Sequence, residues 1–151
     1  MNTKEKSDKS TTNTILENVI ALDLGMASEN EPCIIAMNFV YQKDRIYLHS
    51  ATTGTKIQYL KKNNRVCFLV RGDKELVASG HPCSFGMRYR SVIGTGKASF
   101  IKAPDDKAKV LSLFVSRYGG DKNSVFSTDR LEKVCVICIE ITSFFCKIRG
   151  Y

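Results

Sequence analysis

One stretch of the chain is denser in potential chemistry than the rest: Ile46-Tyr47-Leu48-His49-Ser50-Ala51-Thr52-Thr53-Gly54-Thr55-Lys56-Ile57. A strand pattern ends in a histidine and a hydroxyl, and Thr, Gly, Thr and Lys follow where a helix begins. Hydroxyls, free backbone N–H groups and an ammonium at a helix N-terminus make an anion site, suited above all to phosphate. The plain alternative is a helix capped by Thr52 or Thr53 with Lys56 solvated. His49 could act as a general base, because histidine is easily tuned near neutrality. It could equally serve only as a hydrogen-bonding partner of a cofactor or of the backbone.

A second stretch runs from Cys83 to Ala98 through Met87-Arg88-Tyr89-Arg90-Ser91-Val92-Ile93-Gly94-Thr95-Gly96-Lys97. At strand spacing Arg88 and Arg90 share one face, and Tyr89 and Ser91 share the other. Gly94 and Gly96 also share a face, which marks a bulge or the close approach of a ligand or another backbone. The plain alternative is an edge strand with its charges exposed.

Other chemistry is poorly represented. Cys135 and Cys138 have the CxxC spacing, but they sit in a β pattern, where a separation of three sends the sulfurs to opposite faces. They read as buried small hydrophobes, and no metal site is expected. His81 and Cys83 could be two metal ligands, yet no second pair accompanies them. There is no P-loop, no nucleophile elbow, and the one GxG lies inside a strand. An enzyme built this way would take its chemistry from a cofactor.

The chain has 151 residues, 43% hydrophobic and 25% charged, with a net charge of +8. That is one globular domain and not a disordered chain. No apolar run reaches the ~18 residues of a membrane span. The polar start carries no secretory signal pattern, so six free thiols in a reducing, cytoplasmic compartment are expected. The positive charge suits an anionic partner, but the cations are scattered and not striped, so nucleic acid is not expected.

The elements that must position these residues are legible in outline. Residues 1–13 are polar and read as a disordered tail, with a single domain over 14–151. Thr14 would cap a short helix, followed by a strand over 19–26. Strands over 33–41 and 45–50 complete a three-stranded antiparallel meander across 25–50. A helix over 53–62 follows, then strands over 65–72, 75–78 and 89–101, with a loop over 80–86. Pro104-Asp105-Asp106 opens a helix whose apolar face is Val110, Leu111, Phe114 and Tyr118. A polar connection over 121–130 leads to a last strand over 134–147. The expected fold is mainly β with peripheral helices (α+β), a six- to seven-stranded antiparallel barrel.

In their order and spacing, these motifs resemble the pyridoxamine 5′-phosphate oxidase-like superfamily of FMN-binding split β-barrels. The branch most resembled is that of nitroimidazole-resistance (Nim-type) proteins. The carrying residues are Met37-Asn38-Phe39, Ile46 to Ala51, Gly54-Thr55-Lys56, Leu60-Lys61-Lys62-Asn63, Val66-Cys67-Phe68 and Met87 to Ala98, spread over roughly residues 14–148. Many relatives have Pro where this chain has Ala36, and Asn-Pro where it has Asn63-Asn64. The resemblance implies a homodimer with FMN at the interface and a small-molecule substrate. Ser50, Thr55 and Lys56 would hold the FMN phosphate. Met37, Asn38 and Phe39 would line the flavin ring, largely through backbone. His49 would lie near the flavin or substrate, and Tyr89, Arg90 and Ser91 would contact the flavin, from the second subunit. The implied activity is an FMN-dependent oxidoreductase, a nitro-aromatic reductase or a pyridoxamine-phosphate-oxidase-like enzyme. The alternative is a non-catalytic flavin- or heme-binding protein, with His49 or His81 as a heme ligand.

Overall fold

The computed structural model describes residues 3–6, 9–78, 80, 81 and 85–150. Along the chain these form β1 (Thr3–Lys6), α1 (Lys9–Asn18), β2 (Ala21–Ser28), β3 (Glu31–Asn38), β4 (Val40–Gln42) and β5 (Arg45–Ser50). Then come α2 (Thr55–Lys62), β6 (Arg65–Val77), β7 (Gly86–Ile101), α3 (Pro104–Arg117), α4 (Thr128–Glu132) and β8 (Cys135–Arg149). Alternating side chains point into one core: Leu22, Leu24 and Met26 from β2, Ile46 and Leu48 from β5, Val66, Phe68 and Val70 from β6. That alternation is the period of two that a half-buried strand requires.

Two tight turns set the early register. Glu29 and Asn30 (φ 53 and 65) join β2 to β3, and Lys43 and Asp44 (φ 50 and 61) join β4 to β5. Positive φ at both central positions matches the twist of the flanking strands, as in type I′ hairpins. Lys62 holds Glu29 at 2.7 Å, and Lys9 holds Asp44 at 2.8 Å.

The sheet runs β3-β2-β6-β7-β8-β5-β4, antiparallel throughout, with β1 added to the far end of β8. This is the expected mainly β split barrel with helices at its periphery. The meander expected over 25–50 keeps its two antiparallel pairings but not its continuous middle strand. The strand expected over 33–41 breaks at Phe39, so that β3 pairs with β2 while β4 pairs with β5 at the other end of the path. Phe39 is fully buried, and its N–H donates to the Ile20 carbonyl at 3.0 Å. A strand that changes partner at a bend lets a sheet curl round a core.

The expected tail is structured where it is described. Thr3–Lys6 pairs with residues 146–149, and α1 starts at Lys9 and buries Thr12, Ile15 and Leu16. Thr14 is therefore mid-helix and its hydroxyl donates back to the Ser10 carbonyl at 3.0 Å. The polar composition hid this strand, because β1 is held by the backbone edge of β8. The two strands expected over 65–78 are one, with a register irregularity between Arg71 and Lys74. The connection over 121–130 contains the start of α4. Of the loop over 80–86, residues 82–84, and with them Cys83, lie outside the described residues.

Gly94 is where the core leaves no room. A Cβ there would fall on the Phe68 ring and 2.8 Å from the Ser143 carbonyl oxygen; one at Gly96 would fall 2.6 Å from the Glu140 carbonyl oxygen. The pair of glycines admits the protein's own packing and not a ligand. A second core cluster forms where Val110 and Phe114 of α3 pack on Val40 and Val136. Tyr118, expected on that face, is half exposed.

Candidate functional site

The end of β5 and the start of α2 build the site. His49 and Ser50, being consecutive, leave β5 on opposite faces. Their register partners on β8 are Val136 and Cys135. The chain then turns through Gly54, whose φ of 116 suits glycine alone, into α2. No side chain caps α2, so the capping expected from Thr52 or Thr53 is absent. The first backbone N–H groups of a helix have no internal partner, and here they and the helix dipole remain to meet an anion. Ile57 and Leu60 fix the helix by burial in the core.

Electrostatics at this end are unusual for a surface. Lys56 is partly buried, and burial pushes its ammonium below the ordinary lysine value. Among the described residues no carboxylate compensates it; the thiol of Cys135 is the group that opposes the shift. Burial raises the Cys135 thiol, against the pull of Lys107, Lys56 and Lys61. His49 is half-buried; burial first, and the Lys56 charge second, hold its imidazole below 6.5. It is therefore neutral at pH 7. Phe114 meets it edge to face, with ring centroids 4.6 Å apart. The Ser50 hydroxyl donates to the Ala51 carbonyl at 2.9 Å and keeps its lone pairs free.

Asn38 closes β3 opposite Ala21, one residue before the break at Phe39, and Val40 then stands opposite Tyr47. Asn38 is exposed, Met37 packs against the core and Phe39 lies in it. His49, Ser50, Thr55 and Lys56 thus share one end of the barrel. Tyr89, Arg90 and Ser91 do not. Ser91 stands opposite Lys147, eleven positions along β8 from the Val136 that faces His49. That is about 35 Å of extended strand. Around Ser91 lies a hollow of about 230 Å³ lined by Leu69, Arg71, Tyr89 and Arg90. Arg90 pairs with Asp73, which also lines the hollow, at 3.4 Å.

The sequence did not reveal Phe114 or Cys135 as neighbours of this site, since cross-strand and helix-to-sheet contacts leave no local signal. Cys138 points away from Cys135, into a groove of about 570 Å³ beside α3 with Arg45 and Tyr47. Among the described residues no three metal-ligating side chains gather, and no helix is long and apolar enough to cross a membrane.

The model of the pyridoxamine 5′-phosphate oxidase family matches residues 8–147. The chain belongs to that family. Its fold is shared with a Bacteroides thetaiotaomicron protein named for 5-nitroimidazole antibiotic resistance, at 29% identity and a TM-score of 0.85, covering 98% of this chain and 89% of the other. This agrees with the nitroimidazole-resistance branch that the motifs resemble. Two further similar folds are a flavocytochrome of Azotobacter vinelandii and an FAD and heme binding protein of Mycobacterium smegmatis. The first is 23% identical with a TM-score of 0.85 over 97% of this chain and 70% of its own. The second is 16% identical with a TM-score of 0.88 over 98% and 74%. No curated protein matches the sequence.

Proposed function

We propose that this family member binds FMN and works as an oxidoreductase of a small molecule, with nitro-aromatic compounds as a substrate class. The observation that carries this is Lys56: a partly buried ammonium, without a carboxylate partner among the described residues, at the uncapped start of α2. A phosphate dianion there would meet the ammonium, the free N–H groups and the Thr55 hydroxyl at once. The residues present therefore fit a phosphorylated cofactor.

When bound, FMN supplies hydride and electron transfer that no side chain here can perform. The chain's own residues do the rest. Lys56, Thr55 and Ser50 hold the phosphate; Asn38, with the Met37 and Phe39 backbone, borders the ring. His49, neutral and lacking a hydrogen-bond partner among the described residues, is available to accept a proton from substrate or to donate its ring N–H. Phe114 limits how that imidazole can turn.

The working unit is a homodimer. Tyr89 and Ser91 are too far from Lys56 to reach the same cofactor within one chain, but a second copy can bring its Ser91 face to the first copy's Lys56. Exposed apolar side chains on the sheet, Ile34, Leu76 and Met87, give such a partner something to bury. Five described cysteines, all free, suit a reducing compartment, and we place the protein in the cytoplasm.

A second reading is favoured by the neutral, unpartnered His49, the state in which imidazole ligates iron: a non-catalytic flavin- or heme-binding protein. The deciding experiment is the visible spectrum of the purified protein, with the released cofactor identified by mass. FMN retained by the wild type and lost in Lys56→Ala supports the proposal. A heme band abolished by His49→Ala supports the second reading. A dimer by light scattering is expected, and a monomer that still binds FMN would remove the shared site.

A further inference from the structure

Cross-strand register places two rows of side chains side by side on the outer face of β6, β7 and β8. One row is Arg71–Ser91–Lys147 and the next is Lys74–Tyr89–Arg149. Direct partners in an antiparallel sheet point to the same face. Each row is thus a hydroxyl between two cations, and neighbouring rows lie about 7 Å apart. Beyond the first row lies an apolar one, Leu69–Ile93–Phe145.

Four cations on one face repel one another, and the acids nearby offset only part of the charge. Asp23 pairs with Arg71. Asp73 and Glu75 are engaged with Arg90 and Arg88. Lys74 pairs with no acid among the ion pairs of the described residues. Arg149 carries the second sign of a missing partner: its Nε is buried and has no hydrogen-bond acceptor. A buried guanidinium N–H without an acceptor costs free energy that a ligand oxygen would recover.

We propose that these two rows bind the diphosphate of a nucleoside diphosphate group, with the base against the Leu69–Ile93–Phe145 row. Two adjacent cation–hydroxyl–cation rows match two linked phosphates, whereas a monophosphate would satisfy only one row. The flat apolar row alongside gives the base a surface. The inference extends the flavin reading, on which it rests for the role of Ser91. The group is a separate nucleotide bound beside FMN, because the adenylate half of a dinucleotide flavin brings only one phosphate besides FMN's own.

The test is calorimetric titration of the full chain with ADP, AMP and FMN. ADP is expected to bind more tightly than AMP, and more weakly as salt rises. The double variant Lys147→Gln/Arg149→Gln should weaken ADP roughly tenfold, as the loss of charge-assisted contacts does. The single variant Lys74→Gln, on an exposed side chain, should weaken it in the same direction if the double variant fails to fold. FMN affinity falling in Lys56→Ala while ADP affinity holds would separate this site from the phosphate site of the flavin reading. An ADP affinity gained by FMN-loaded protein points to a separate nucleotide. Three results would overturn the proposal: no saturable ADP binding, ADP binding lost in Lys56→Ala but kept in the cation variants, or an oligonucleotide that competes as well as ADP.

Discussion

The imidazole of His49 and the ring of Phe114 meet nearly perpendicular, at 87° and 4.6 Å between centroids. One lies at the end of a strand, the other in the last turn of α3, and the contact excludes water from one side of the histidine. Replacing Phe114 by Leu keeps most of the volume but removes the aromatic edge, a loss of about 0.5–1.5 kcal/mol. The variant should remain folded and let the His49 pKa climb back toward 6.5. Thermal unfolding and an NMR titration of the imidazole measure the two effects separately.

Burial and Lys56 both disfavour the imidazolium of His49. In the unfolded chain the histidine takes up its proton near 6.5, in the folded chain at a lower pH. The unfolded state therefore binds more protons below about 6.5, and this site's contribution to stability falls as pH drops through that value toward the folded pKa. A bound phosphate reverses part of the shift, because it adds negative charge beside the ring. Inorganic phosphate should raise the His49 pKa in the wild type and leave it unmoved in Lys56→Ala.

Lys56→Met is expected to separate stability from binding. It removes a partly buried ammonium that no carboxylate compensates and keeps the apolar stem. The cofactor-free variant should melt at or above the wild-type temperature, yet bind FMN at least about tenfold more weakly, the worth of a charge-assisted contact to phosphate. A variant that melts lower and keeps FMN would show that Lys56 is structural.

Gly94→Ala should be among the most damaging small changes in the chain. Its methyl has no space beside Phe68 and the Ser143 carbonyl. Overpacking of this kind costs about 1–3 kcal/mol. Phe68→Leu alone should also destabilise, by opening a cavity. The double variant should be more stable than the sum of the two single changes, a coupling that denaturant unfolding of all four proteins would read.

The Tyr41 hydroxyl lies 2.8 Å from Asn13 Oδ1 and 2.9 Å from Asp44 Oδ1, with one proton to serve both. Burial first, and the hydrogen bond to Asp44 next, push its pKa up to about 12. In an alkaline absorbance titration one tyrosine should ionise well after the ordinary value near 10. Tyr41→Phe should remove that late step. It should cost about 0.5–1.5 kcal/mol, because α1 loses its tie to the β4–β5 hairpin.

Much of this architecture was visible in local chemistry. Alternation placed β5, β7 and β8, the acid and proline start placed α3, and the turn residues at 28–32 and 42–45 placed both hairpins. The barrel end carrying His49, Ser50, Thr55 and Lys56 was visible for the same reason: those residues are neighbours in sequence, so a single strand-to-helix turn gathers them. Where the sequence misled, the deciding contact was distant. Residues 3–6 have nothing apolar to announce a strand, and they become one only because the edge of β8 offers backbone hydrogen bonds.

By itself, then, the amino-acid order determined which segments alternate, where they turn, and that His49, Ser50, Thr55 and Lys56 gather at the head of α2. Only the tertiary structure decided that Phe39 breaks a strand, that Gly94 makes way for Phe68, that Phe114 covers His49, and that Ser91 stands between Arg71 and Lys147 at the other end of the sheet. The difference is physical. Periodicity and turn chemistry are local and act over a few residues, whereas pairing register and packing join residues far apart in the chain, and nothing in either segment alone names its partner.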